Sequence, residues 1–145
     1  MAANKAATVV PKVSGNAPKA DFYVTPNGTA FSSTGHRYFG DEKTLNSAQQ
    51  GILPAKENGM YFSFDKYDDA LEAKDKLQIP YAPTYRASFD TLDNIDNFQI
   101  PKGKWNQADY FEPITKDFPN FGTGGATQGL INNHPVNIYD LYKMK

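Results

Sequence analysis

A glycine-rich turn near the end of the chain constrains the fold more than any other stretch. Three glycines fall within the four positions 122–125. Because glycine has no Cβ, such a turn can take positive φ and bring its backbone close to a ligand. The following residues, 126–131, are typical of a short buried strand with two polar side chains at its start. Polar groups at a strand end beside a tight turn often form sites. The sequence therefore predicts either a plain hairpin turn facing water or a site that includes Gly124, Gly125, Thr127 and Gln128.

The composition indicates one folded domain with no strong charge. The chain has 145 residues, of which 39% are hydrophobic and 14% are aromatic, enough to form a core. Its net charge of -1 gives no general attraction to polyanions, so an RNA partner would have to meet a local basic patch. Residues 1–20 lack a helical or strand period and are expected to be a flexible leader. We expect residues 21–145 to form a single domain.

The residue types that are missing exclude several chemistries. The chain has no cysteine and only two histidines, His36 and His134. The absence of cysteine excludes disulfides, thiolate catalysis and cysteine-ligated zinc. Two histidines also nearly exclude a metal site with several histidine ligands. No run of residues is long and apolar enough for a membrane span or a signal peptide. We expect no metal, no cofactor and no membrane span.

The pattern of apolar residues predicts an α+β fold, with two short helices packed on a mostly antiparallel, twisted sheet. Asp41 is the expected N-cap of a first helix that runs through Ala48 and closes at Gly51. Asp65 is the expected N-cap of a second helix, from 66 to about 77. In the second helix the apolar stripe is formed by Tyr67, Ala70, Leu71 and Leu77. Strands are predicted at 21–24, 36–39, 59–64, 85–92, 97–101, 126–131 and 136–142.

Two further predictions concern the connections. Residues 29–35 are expected to form a loop after a turn at 25–28. The last strand, 136–142, is expected to pair with residues 128–131 across a turn at 132–135.

The only two arginines, Arg37 and Arg86, both fall in predicted strands. A guanidinium group is always charged and forks onto phosphate or carboxylate, so two arginines on one face would make an anion site. Alternatively, each pairs with an acid such as Asp41, Asp90 or Asp93.

Several segments resemble the C-terminal toxin modules of bacterial polymorphic toxins, which end large Rhs, hemagglutinin-like and contact-dependent inhibition proteins. The resemblance covers nearly everything from Asp21 onward, and the segments that carry it are 21–30, 33–38, 61–70, 89–91 and 121–128. Within the second segment, Arg37 and Tyr38 fit the family pattern, while His36 stands where the family usually has tyrosine. The resemblance implies a monomer that is secreted as part of a carrier protein, acts in the cytoplasm of a target cell and is blocked by a cognate immunity protein.

Toxins of this class cleave RNA or consume NAD, and the first expectation is a metal-independent ribonuclease acting on tRNA or a similar RNA. His36 would be the general base, Arg37 and Arg86 the phosphate clamp, and Thr127 or Gln128 a hydrogen-bonding orienter. The predicted basic loop 102–107 would stack Trp105 on an unpaired base beside Lys102 and Lys104.

The alternative is an NAD glycohydrolase or ADP-ribosyltransferase, since a Tyr-Arg strand followed by a late Gly-Gly-x-Thr-Gln turn is similar to the NAD-cleaving necrotising toxins. There Arg37 and Arg86 would hold phosphates, Tyr61 or Phe62 would stack on nicotinamide, and Gln128 would replace the glutamate of transferases. The missing glutamate argues against transfer to protein and leaves hydrolysis. A third possibility is a binding module without catalysis. The residues expected to bind substrate are Tyr38, Tyr61, Phe62, Gly124, Gly125, Lys102, Lys104 and Trp105.

Overall fold

The computed structural model describes residues 16–24, 30–99, 115 and 118–145. It has two α-helices, α1 (Glu42–Ala48) and α2 (Ala70–Leu77), and a 3-10 helix at Leu92–Asn97. The described strands are β1 (Phe22–Val24), β2 (Ala30–Ser32), β3 (Thr34–Phe39), β4 (Ile52–Leu53), β5 (Met60–Phe62), β6 (Tyr85–Asp90), β7 (Phe98–Gln99), β8 (Gly129–Ile131), β9 (Val136–Asn137) and β10 (Asp140–Lys143). The predicted α+β class is confirmed. Most of the predicted leader lies outside the described residues.

Two three-stranded antiparallel sheets form the framework of the fold. The first has the order β10-β6-β3, with β6 in the centre, and the second has the order β5-β8-β7. A single bridge joins them, because the backbone groups of His36 and Ser63 exchange hydrogen bonds of 2.8 and 2.9 Å. The predicted strand at 85–92 is confirmed as a central strand over residues 85–90, and the one at 97–101 as an edge strand at 98–99. The 3-10 helix takes residues 92–97 instead, and residues 100–101 lie outside the described part.

The predicted loop at 29–35 was wrong in its described part. Residues 30–32 form β2, which pairs with β1 in an antiparallel hairpin, and 34–39 already belong to β3. Phe31 explains the difference, since it is buried and its ring lies 5.8 Å from that of Tyr23. The predicted turn at 25–28 lies outside the described residues.

The prediction that one closing strand pairs with 128–131 was also wrong. The segment divides into β9, which pairs with β4, and β10, which pairs with β6, while β8 pairs with β5 and β7. The division has a packing reason: Val136, Ile138 and Leu141 are all buried in the main core. A continuous strand with a period of two would turn Leu141 away from the face that carries the other two.

The helix caps show one correct and one wrong prediction. Asp41 caps α1 as predicted, and its carboxylate accepts a hydrogen bond of 2.9 Å from the Thr44 N–H. The second helix begins at Ala70 rather than at residue 66, with Asp69 as its N-cap. Asp65 is not a cap, because its carboxylate accepts hydrogen bonds of 2.8 and 3.0 Å from the N–H and hydroxyl of Thr127.

The core lies between the sheets and the helices. Its main cluster consists of Phe39, Ala48, Leu53, Met60, Phe62, Ala87, Phe89, Ile131, Val136, Ile138 and Leu141. A smaller cluster joins Ala73 of α2 to Tyr38 and Met144. Leu71 does not belong to the predicted apolar stripe, since its side chain is 70% exposed and Ala73 is the buried residue of the helix. In the described part of the chain no helix has the length and apolar character needed to cross a membrane.

Candidate functional site

A cleft lies between β3 and β5, next to the single bridge that joins these strands. It is open to solvent and its cavity volume is only about 60 Å³, so it is a shallow cleft and not an enclosed pocket of roughly 300–1,000 Å³. Its walls come from four parts of the chain: β3, β5, the end of α2 and the residue before β8. The lining residues are His36, Arg37, Tyr38, Tyr61, Phe62, Ser63, Leu77, Ile79 and Gln128.

Arg37 is the cation of the cleft. Its Nη1 donates a hydrogen bond of 2.9 Å to the carbonyl oxygen of Tyr61. The side chain is half-buried, and burial lowers the pKa of Arg37 from its ordinary value. Among the described residues it forms no ion pair with a carboxylate. The guanidinium group is therefore held in place by a neutral partner and keeps its charge for an anionic ligand.

The two aromatic residues of β5 have different surroundings. Tyr61 is 45% exposed, whereas Phe62 is buried and packs edge-on against Phe64 and Phe89, with ring centroids 5.1 and 5.2 Å away. Of the two predicted stacking residues, Tyr61 is thus the one that a ligand can reach. Phe62 serves mainly as core at the back of the cleft.

Gln128 reaches the cleft because Thr127 is fixed. The Thr127 hydroxyl donates to the Asp65 carboxylate at 3.0 Å and accepts from the Phe64 N–H at 3.1 Å. These bonds join the residue to the end of β5, so the half-buried Gln128 that follows lines the cleft. Thr127 itself has a structural position behind the cleft.

Ser63 lines the cleft although sequence reasoning did not single it out. It is buried, its hydroxyl accepts a 3.0 Å hydrogen bond from the Asp65 N–H, and it lies 3.4 Å from the Thr127 hydroxyl. Leu77 and Ile79 were missed as well. A polar residue that ends an otherwise apolar strand was the one available signal for Ser63.

His36 is buried to 4% exposure, with its Nδ1 2.7 Å from the Ser88 hydroxyl. Burial, together with the nearby charges of Arg86 and Lys66, lowers the pKa of His36 to about 3. The imidazole is therefore neutral near pH 7 and a weak base, which speaks against the predicted role in proton abstraction. Its neighbour Tyr38 is fixed too, since its hydroxyl donates to the Asp65 carbonyl and accepts from the Tyr67 N–H, both at 2.8 Å.

The prediction that the two arginines share one face was wrong. In the register of β3 and β6, Arg37 lies opposite Ala87 and Arg86 lies opposite Tyr38. Because facing residues share a side of the sheet, the two guanidinium groups leave it on opposite sides.

Arg86 instead has a structural environment. It is 2% exposed, donates to the Tyr67 carbonyl at 2.8 Å and to the Asp68 carboxylate, and lies over the Tyr142 ring at 4.4 Å from its centroid. Its Nε is buried without a partner, and a second acid, Asp140, lies 4.0 Å from Nη2. The expected pairing with an acid thus holds for this arginine, although with Asp68 rather than with the acids proposed from the sequence.

The glycine turn docks on α2. The Gly124 N–H donates to the Asp75 carbonyl at 3.0 Å, the Thr123 N–H to the Asp75 carboxylate at 2.9 Å, and Gln78 Nε2 to the Gly122 carbonyl at 3.0 Å. The prediction of positive φ is confirmed, with values of 78° at Gly124 and 102° at Gly125. A Cβ at Gly124 would lie 2.3 Å from the Thr115 carbonyl oxygen. The close backbone approach is therefore made to the protein itself, and neither glycine lines the cleft.

The predicted basic loop with Lys102, Lys104 and Trp105 lies outside the described residues. Within the described ranges no three histidine, aspartate or glutamate side chains group in a way that would hold a metal ion. Comparisons with protein-family models, with curated proteins and with solved structures found no match. The function has to be inferred from the residues of the cleft.

Proposed function

We propose that the cleft binds a dinucleotide and, more specifically, that the protein cleaves NAD between nicotinamide and ribose. One observation carries the proposal. Arg37, Tyr61 and Gln128 come from three separate parts of the chain, yet they line one cleft. A cation can bind the phosphates of NAD, a reachable aromatic ring can stack on its nicotinamide, and an amide can form hydrogen bonds with its carboxamide or ribose hydroxyls.

Each group has a distinct task in the reaction. Arg37 binds the pyrophosphate, Tyr61 stacks on the nicotinamide ring, and the Gln128 amide forms hydrogen bonds with the carboxamide or the ribose hydroxyls. The bond between the nicotinamide nitrogen and ribose C1′ breaks, and nicotinamide leaves with the bonding electron pair. Water adds its oxygen to C1′ and releases a proton, which gives ADP-ribose. Fixing the pyrophosphate and the nicotinamide end favours this step because the bond that breaks is held near its reactive geometry.

Hydrolysis is favoured over transfer to a protein. Among the described residues that line the cleft there is no carboxylate, so none of them would orient or deprotonate an acceptor side chain in that way. Gln128 stands where the NAD-using transferases in the resemblance have glutamate. Water, which needs no second binding site, is the acceptor that fits this set of residues.

The ribonuclease function, which was the first expectation from the sequence, has less support than the NAD-cleaving alternative. It assigned His36 as base and Arg86 as half of the phosphate clamp. His36 has a pKa lowered to about 3, and Arg86 lies on the other side of the sheet, bonded to Asp68. NAD hydrolysis uses neither residue.

In this proposal the chain is the toxin module of a polymorphic toxin that removes NAD from the cytoplasm of a target cell. A cognate immunity protein would cover the mouth of the cleft. The support for this context is the resemblance carried by segments between residues 21 and 128, together with the cation, the aromatic ring and the amide that line the cleft.

The test is to incubate the purified protein with NAD and, separately, with total tRNA. We expect release of nicotinamide and ADP-ribose, measured by chromatography, and intact tRNA on a gel. Gln128→Ala should abolish most of the nicotinamide release, while Asn133→Ala, an exposed control in the same part of the chain, should not. Cleavage of tRNA without nicotinamide release would overturn the proposal, and inactivity on both substrates would favour a binding module. ADP-ribose attached to protein, detected by mass spectrometry, would indicate transfer instead of hydrolysis.

A further inference from the structure

Asp65 holds the residue that precedes Gln128. Its carboxylate oxygen Oδ2 accepts two hydrogen bonds from Thr127, one of 2.8 Å from the N–H and one of 3.0 Å from the hydroxyl. Gln128 is the next residue, and β8 begins only at Gly129. The backbone on one side of Gln128 is therefore fixed by the pairing of β8 with β5, and the backbone on the other side is fixed by Asp65.

The main chain of Asp65 holds two other walls of the same cleft. Its N–H donates a hydrogen bond of 3.0 Å to the hydroxyl of Ser63, just after β5. Its carbonyl oxygen accepts one of 2.8 Å from the hydroxyl of Tyr38, which lies on β3. Tyr38, Ser63 and Gln128 all line the cleft, whereas Asp65 is not one of the described lining residues. One half-buried residue thus connects three parts of the chain that meet at the cleft.

We propose that Asp65 is a positioning residue, whose carboxylate sets the place of the Gln128 amide in the cleft by holding Thr127. The inference deepens the proposed function and rests on it, since the Gln128 amide is the group that contacts the carboxamide or ribose hydroxyls of NAD. An N–H and a hydroxyl that share one acceptor hold both the main chain and the side chain of Thr127. A displacement of about 1 Å at a group that orients a substrate can lower the rate about 100-fold. Asp65 therefore acts on the reaction without touching NAD.

The first test compares two substitutions of Asp65 by the release of nicotinamide from NAD. Asp65→Ala removes the acceptor, and we expect kcat to fall about tenfold to 100-fold, with a smaller change in KM because Arg37 still binds the pyrophosphate. Asp65→Asn should stay within about threefold of the wild type, because both bonds end on Oδ2 and one amide oxygen can accept both, although more weakly. Wild-type kcat in a folded Asp65→Ala variant, or equal losses in the two variants, would overturn the proposal.

Asp75 provides a matched control. Its carboxylate accepts hydrogen bonds of 2.9 and 2.5 Å from the N–H and hydroxyl of Thr123, in the glycine turn. Asp75→Ala removes the same kind of contact from a residue that does not line the cleft, so nicotinamide release should stay at the wild-type rate. A loss as large as that of Asp65→Ala would show that general loosening of this part of the chain causes the effect, and the positioning role would be wrong.

A double-mutant cycle tests whether Asp65 acts through Gln128. In the Gln128→Ala protein, Asp65→Ala should lower the residual kcat by less than about twofold, because the amide that it positions is already gone. Losses that multiply would mean that Asp65 acts independently of Gln128 and would contradict the proposal. If Asp65→Ala does not fold, Thr127→Val takes its place in the cycle, since it removes the hydroxyl but keeps the N–H. Thr127→Ser should then restore the activity.

NMR signals of the Gln128 side chain separate this inference from the proposed function. The signals of its NH2 group, assigned by their loss in Gln128→Ala, should shift in Asp65→Ala and stay in place in Asp75→Ala. If NAD is hydrolysed but neither these signals nor kcat respond to Asp65→Ala, the positioning role is wrong and the proposed function stands. If NAD is not hydrolysed but the signals respond, the positioning role stands and the proposed reaction is wrong.

Discussion

The guanidinium group of Arg37 is held by the main chain of Tyr61, through a 2.9 Å hydrogen bond to its carbonyl oxygen. This bond crosses from β3 to β5 where the two strands are joined by only one bridge. It positions the cation of the cleft next to the aromatic ring that a ligand can reach. Arg37 is therefore the first residue to substitute in a test of the proposed site.

Arg37→Gln should lower kcat/KM for NAD about 100-fold, because a charged group bound to phosphate is lost. The loss of one hydrogen bond to Tyr61 should cost only about 1 kcal/mol of stability. Steady-state nicotinamide release and urea denaturation measure the two effects. A variant that remains folded and retains wild-type activity would remove Arg37 from the proposed site.

His36 should make the protein less stable in acid. Its pKa is about 3 in the folded state and 6.5 in the unfolded chain, so only the unfolded chain takes up a proton between these values. The stabilisation is fully present above pH 6.5 and is lost as the pH falls towards 3. We expect Tm to fall across this window and the fall to be smaller in His36→Asn. His134→Asn is the matched control and should follow the wild type; parallel curves for all three proteins would contradict the prediction.

The same variant tests the catalytic role of His36. Because the imidazole is buried and neutral, nicotinamide release by His36→Asn should stay within about tenfold of the wild type, below the usual loss for a general base. The pH profile of kcat should show no inflection near 6.5. A loss of about 100-fold or more in a folded variant would restore His36 as the general base.

The two glycines of the turn should differ in what they tolerate. Gly125→Ala adds a Cβ with no atom within 4 Å, so its cost is that of positive φ alone, about 1–2 kcal/mol. Gly124→Ala adds the same strain and also a Cβ 2.3 Å from the Thr115 carbonyl oxygen, so we expect a total cost of about 3 kcal/mol or more. Urea denaturation compares the two variants. Equal costs would show that the close approach to Thr115 does not require glycine at 124.

Asp68 should contribute to stability only while it is ionised. The hydrogen bond from Arg86 lowers the pKa of Asp68 below its ordinary value. Its contribution is therefore present above about pH 4 and is lost as the pH falls through the lowered folded value. Since the carboxylate is 60% exposed, we expect Asp68→Asn to cost about 0.5–1 kcal/mol at pH 7.

The difference between Asp68→Asn and the wild type should shrink below pH 4, which denaturation at several pH values measures. Glu57→Gln, at an exposed position, provides the control. A difference that does not depend on pH would mean that Asp68 acts through packing rather than through its charge.

Local features of this protein could be predicted from the sequence because short-range chemistry decides them. Asp41 caps α1 since its carboxylate reaches the N–H only three residues later. Gly124 and Gly125 adopt positive φ, as a glycine-rich turn predicts. The alternation in 85–90 correctly separated the face that carries Phe89 from the face that carries Arg86. Each of these depends on neighbours in the chain.

Tertiary structure decided what the sequence left open, because contacts between distant residues compete with local preferences. Asp65 is a residue type that often caps helices, yet its carboxylate is bonded to Thr127, and α2 begins at Ala70 with Asp69 as its N-cap. The register of β3 against β6 places Arg37 and Arg86 on opposite sides, and a shift of one residue would reverse this. In the observed register His36 is buried, which makes it neutral, whereas Arg37 lies at the cleft. The pairing of distant strands therefore determined which polar residues lie close together, because it closes long loops and buries one face of the sheet.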